Sequence, residues 1–104
     1  MANICDNKLY LSTENETTYN SLVENIENQF ECIGKSERKE EGEYECEIDF
    51  ESKWTFPHKI FEEITDAIGE DDSLYIRVLS YEFGCDYVGY NIYSDNEWAD
   101  KING

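Results

Sequence analysis

Residues 44–52 read Y-E-C-E-I-D-F-E-S. Tyr44, Cys46, Ile48 and Phe50 alternate with Glu45, Glu47, Asp49 and Glu51. Side chains along a strand point alternately to opposite faces. As a strand, the stretch therefore has one apolar, aromatic face and one column of four carboxylates.

Before this strand, residues 35–43, K-S-E-R-K-E-E-G-E, contain no apolar residue. They read as an exposed connection, a solvated hairpin tip with Gly42 at the turn. Residues 30–34 form a short second strand with Cys32 as its middle apolar position. Tyr19, Leu22, Val23, Ile26 and Phe30 share one helical face, which predicts a helix over 14–29. Thr13 and Glu16 have the spacing of a capping box. Residues 4–12 read as the first strand, with Leu9 and Leu11 facing one way and Lys8 and Tyr10 the other.

After the strand, Pro57 suits the first turn of a second helix, where its missing N–H costs nothing. Ile60, Phe61, Ile64, Ala67 and Ile68 form the buried face of that helix, and Gly69 is a left-handed stop. Residues 74–82 alternate again, with Leu74, Ile76 and Val78 opposite Tyr75, Arg77, Leu79 and Tyr81. F-G-C-D at 83–86 is a tight turn, residues 87–94 are the last strand, and D-N at 95–96 is its exit turn. Trp98 packs the tail back, and residues 99–104 are expected to fray.

The order strand, helix, strand, strand, helix, strand, strand predicts an α+β fold of the ferredoxin-like, split βαβ kind (βαββαβ plus a fifth strand). It has an antiparallel sheet with both helices on one face. The expected strand order is 4-1-3-2, with the fifth strand beside the fourth. Residues 1–104 are read as a single domain. The 44–52 strand then lies inside the sheet, and its acids lie in the middle of the open face.

The formal net charge is −17, from 25 acidic and eight basic residues. A basic footprint for nucleic acid is absent, and such a field repels phosphates. Eight tyrosines, five phenylalanines and two tryptophans set the chain apart from a disordered acidic tail. No apolar run approaches the roughly 20 residues that span a bilayer. The N-terminus lacks the pattern of a signal peptide. The expected compartment is the cytoplasm of a bacterium or a phage-infected host cell. Cys5, Cys32, Cys46 and Cys85 include no C-x-x-C pair, so four free thiols are expected rather than a zinc site.

The opening M-A-N-I-C-D-N-K-L resembles the M-x-N-x-C-x-N-x-L start of YubB-type ferredoxin-like proteins carried by plasmids and phages. Phe50, Ser52, Trp54 and Pro57 are similar to that family's F-x-S/T-x-W-x-P-P stretch. Tyr81, Glu82, Gly84 and Gly89 resemble its Y-x-E-x-G…G ending, with Glu82 directly after Tyr81. Ile4 stands where the family has an aromatic, Phe56 replaces the first proline, and the chain is short for the family. The resemblance implies a ferredoxin-like fold and a mobile-element origin. It implies no established activity and no catalytic residue.

No catalytic constellation emerges from the residues either. His58 lies at an exposed helix start without a nearby nucleophile in sequence. The 25 acids include no marked pair of the glycosidase kind. E-D-D at 70–72 lacks the spacing of a calcium loop. The cysteines are not grouped for an iron–sulfur cluster, and there is no glycine-rich phosphate loop. No enzyme, cofactor or metal is therefore expected. Trp54 and Phe56 are read as capping one end of the core.

The expected partner-binding residues lie on the open face: Glu45, Glu47, Asp49 and Glu51, together with Tyr10, Tyr75, Leu79 and Tyr81. Acids beside aromatics suit an arginine-rich protein surface, through charge pairing and cation–π contact. The expected function is binding a basic surface of a host protein in place of nucleic acid, as an inhibitor of a defence or nucleic-acid enzyme. The alternative is a homodimeric assembly domain, paired through an edge strand and without catalytic activity.

Overall fold

The computed structural model describes residues 4–53, 55–82, 84 and 87–101. The elements are β1 (Ile4–Thr13), α1 (Glu16–Gln29), β2 (Glu31–Glu40), β3 (Glu43–Lys53), α2 (His58–Ile68), β4 (Tyr75–Glu82), β5 (Tyr87–Ser94) and β6 (Glu97–Asp100). The strands form one antiparallel sheet in the order β2-β3-β1-β4-β5-β6. This is the α+β class expected, and the order of the first five strands is compatible with a ferredoxin-like arrangement. The expectations for Trp54, Cys85, the remainder of the 83–86 turn apart from Gly84, residues 1–3 of the N-terminal motif and residues 102–104 lie outside the described residues.

The alternation along β3 sets up the core. Cys46, Ile48 and Phe50 point to the helix side and are fully buried. Leu9 and Leu11 of β1 and Ile76 and Val78 of β4 lie on the same side. Tyr19, Leu22, Val23 and Ile26 of α1 and Phe61 and Ile64 of α2 cover them, in one continuous cluster. Each such side chain contributes roughly 1.5–3 kcal/mol when taken out of water. Phe30, Phe50, Phe56, Phe61 and Trp98 add a knot of rings with centroids 4.6–5.9 Å apart. Those separations are within the range of favourable aromatic contact.

One buried polar group is fully used. The Asn7 amide donates to the Cys5 and Phe50 carbonyls and to Ser52 Oγ, and its oxygen accepts from Ser80 Oγ at 2.6 Å. It thus ties β1 to both of its neighbours. The Tyr87 ring lies over Gly89, so a Cβ there would collide with the Tyr87 hydroxyl unless that ring moved.

Four local expectations are corrected. First, residues 35–40 are not a solvated tip: β2 continues through them to Glu40, paired with β3 from Lys35↔Ile48 to Glu40↔Glu43. A strand needs a hydrogen-bonding neighbour more than apolar side chains, and β3 supplies one. The charges suit a sheet edge, where they discourage pairing with other chains. Gly42, at φ 79°, does make the turn.

Second, Asn15 and not Thr13 caps α1, its side chain accepting from the Thr18 amide at 3.2 Å. Thr13 is buried and bonded instead to Asp71 and Ser73. Third, Ala67 is exposed and Thr65 takes its place on the buried side of α2. The Thr65 hydroxyl donates to the Phe61 carbonyl and accepts from Trp98 Nε1. Fourth, the tail does not fray at residue 99. Asp95 and Asn96, both at positive φ, turn the chain into β6, and Lys101 N donates to the Tyr90 carbonyl at 2.7 Å. Among the described residues, no helix is long and apolar enough to cross a membrane.

Candidate functional site: the open face of the sheet

The side of the sheet away from α1 and α2 is built by the other half of each alternation. β3 contributes Glu45, Glu47, Asp49 and Glu51, and β1 contributes Asp6, Lys8, Tyr10 and Ser12. β4 contributes Tyr75, Arg77, Leu79 and Tyr81, and β5 contributes Val88, Tyr90 and Ile92. The eight sequence-predicted binding residues therefore share one face. Cross-strand register arranges them in rows: Asp49, Lys8, Leu79 and Tyr90 in one, and Glu47, Tyr10, Arg77 and Ile92 in the next.

The acid column is not bare. The Lys8 ammonium lies 3.7 Å from the Asp49 carboxylate, with both side chains about half exposed. The Tyr10 hydroxyl donates to Glu45 at 2.8 Å. Burial and that carboxylate both raise the Tyr10 pKa above the usual phenol value. The Arg77 guanidinium stands 4.4 Å above the Tyr10 ring, a cation–π distance. Tyr10 and Tyr75 are in ring contact at 6.2 Å. At the centre is a shallow depression of about 570 Å³, lined by Lys8 and Tyr10 of β1, Glu47 and Asp49 of β3, Arg77 and Leu79 of β4 and Tyr90 of β5.

Chemically, this face offers charge, stacking and apolar contact. Cys5, Cys32 and Cys46 are free thiols on the helix side of the sheet, and burial pushes their pKa values up, that of Cys46 to about 11. Thiols held protonated are poor nucleophiles and poor metal ligands. His58 is exposed, its ring edge-on to Phe56 at 4.8 Å. The Asp71 carboxylate of the E-D-D turn accepts from Thr13 Oγ and from the Ser73 amide and hydroxyl, fastening the turn to the end of β1. Among the described residues, no group of three or more His, Cys, Asp or Glu side chains is placed to hold a metal ion.

Sequence reasoning put Arg77 on the side of Tyr75 and Leu79 but not among the binding residues, and it did not assign Val88, Tyr90 and Ile92 to this face. For Arg77 the signal was present, since it alternates in step with Tyr75 and Leu79. For β5 it was weak, because Gly89, Asn91 and Tyr93 on the covered side are no more apolar than Val88, Tyr90 and Ile92 on the open one. No family model, curated protein or solved structure matches the chain.

Proposed function

We propose that this is a binding protein that uses the open face of its sheet to engage a basic surface of another protein, occupying a position that nucleic acid would otherwise take. The observation that carries the proposal is the placement of Glu45, Glu47, Asp49 and Glu51 in the middle of an uncovered sheet face, in a chain of net charge −17. Alternate residues of a strand lie about 6.7 Å apart. That is inside the Debye length of about 8 Å at physiological salt. The acids therefore repel one another, and a cationic partner relieves the repulsion. Lys8 offsets one of the four, so a net acidic stripe is left for the partner.

The ferredoxin-like assignment and the YubB-type resemblance belong to the same proposal. On that reading the protein belongs to a plasmid or phage, and its target is a host defence or nucleic-acid enzyme. The role needs binding and no catalysis. The test is capture of partners from bacterial lysate at low and at high salt. A basic protein retained at low salt and released at high salt supports the proposal, and no salt-sensitive basic partner contradicts it.

A second reading, the homodimer, has one observation in its favour: β2 presents a ten-residue strand at the edge of the sheet. Two chains of charge −17 oppose that association. Light scattering at micromolar concentration discriminates, since a strict monomer rules the dimer out.

A further inference from the structure

We infer, resting on the function proposed above, that the partner element seated on the open face is a basic amphipathic α-helix. It carries Lys and Arg on one flank, apolar side chains on the other and a carboxylate on the ridge between. The open face is striped rather than uniformly acidic. The first stripe is the carboxylate column of β3. The second is the cation pair Lys8 and Arg77, diagonal neighbours on β1 and β4 that both line the central depression, with Asp6 farther along β1. The third is apolar: Leu79, Val88, Tyr90 and Ile92, of which Leu79 is 39% and Val88 42% exposed.

The complement of acid, cation and apolar is base, acid and apolar, read across the sheet in the same direction. A surface of lysines alone matches only the first stripe. It would bring charge against Lys8 and Arg77 and leave the apolar stripe in water.

Dimensions select a helix. Neighbouring strands lie about 4.8 Å apart, so the three intervals from β3 to β5 span about 14 Å. A helix with its side chains is about 10–12 Å across. The column from Glu45 to Glu51 runs about 20 Å, which is between three and four helical turns of about 5.4 Å. One helix laid lengthwise over β1 and β4 reaches the outer stripes through long side chains on its two flanks. An added strand would instead need a free edge; β3, β1 and β4 have neighbours on both sides, and β6 covers the second half of β5.

The experiment uses the full chain, isotope-labelled for amide chemical-shift mapping, and three synthetic peptides. One is an 18-residue helix former with the base–acid–apolar pattern, the second its scrambled isomer, and the third an Arg/Ser peptide of equal charge. The patterned peptide is expected to bind about tenfold or more tighter than either control, with shifts on β1, β3, β4 and β5. L79S, at an exposed position, is expected to weaken the patterned peptide about fivefold or more and to leave the Arg/Ser peptide unchanged. Replacing the ridge glutamate of the peptide by glutamine is expected to weaken it as well.

If the scrambled isomer binds equally well on the same strands, the stripes play no part; the inference falls and charge-driven binding survives. If no peptide binds, or the shifts confine themselves to α1 and α2, the proposed function falls with it. Concentration-dependent shifts across the open face of the free protein would mean that a second copy covers it, and would also overturn the inference.

Discussion

Tyr19 has its ring in the core and its hydroxyl at the edge of the sheet, where it donates to Glu37 of β2. That hydrogen bond, with help from Lys35 and Lys39, holds the Glu37 carboxyl below its usual range against the opposing effect of burial. A carboxylate with a depressed folded-state pKa stabilises fully above the unfolded value of about 4.3. The contribution is lost as the pH falls through the folded value. Tyr19 itself is shifted up, by burial first and by Glu37 second, so its contribution is complete below about pH 10 and is lost at higher pH. Y19F is expected to cost about 1–2 kcal/mol in urea titrations near neutral pH. The gap should narrow below the carboxylate range, and an equal gap at both pH values contradicts the account. The burial of Tyr19 was legible from its helical spacing. Its partner was not, because Glu37 lies 18 residues away in a segment whose composition reads as loop.

At the scale of elements, β3 was legible because period-two alternation specifies both a strand and which face is covered. Only the start of β2 was, because residues 35–40 are exposed on both faces and only their pairing with β3 makes them a strand. β6 is short, and its one apolar anchor is Trp98, packed on Tyr93 and Phe61. The clue to it was Asp95-Asn96, two residues that tolerate positive φ and here supply it at both positions of a two-residue hairpin turn. Hydrogen exchange should grade these elements. Amides of β3, paired on both sides, are expected to open only with global unfolding, and those of β2 that point away from β3 to exchange much faster. Equal protection along both sides of β2 would reveal a covered edge and favour the homodimer. G42A, forcing a side chain into φ 79°, is expected to cost about 1 kcal/mol and to loosen the β2–β3 hairpin end first.

For the whole molecule, charge dominates. Self-repulsion at −17 is relieved as salt shortens the Debye length from about 30 Å at 0.01 M to about 8 Å at 0.15 M. The midpoint of thermal unfolding should therefore rise by several degrees over that range, and an unchanged or falling midpoint contradicts the claim. The open face was legible as a set, since the alternation of three strands placed its acids and aromatics together. What composition could not supply was the neutralising detail, Lys8 against Asp49 and Arg77 over Tyr10, because both depend on cross-strand register. The central claim is that the position of the acids matters and not their number alone. Two variants of equal charge test it most directly: E45Q/E47Q/D49N/E51Q on the open face, and E24Q/E62Q/E63Q/D66N on exposed positions of α1 and α2. Both are compared with the unaltered protein for affinity toward the captured basic partner. The account predicts that the open-face variant loses about tenfold or more while the helix-face variant stays within about threefold. Equal losses from the two would contradict it and leave the acids as a solubilising surface.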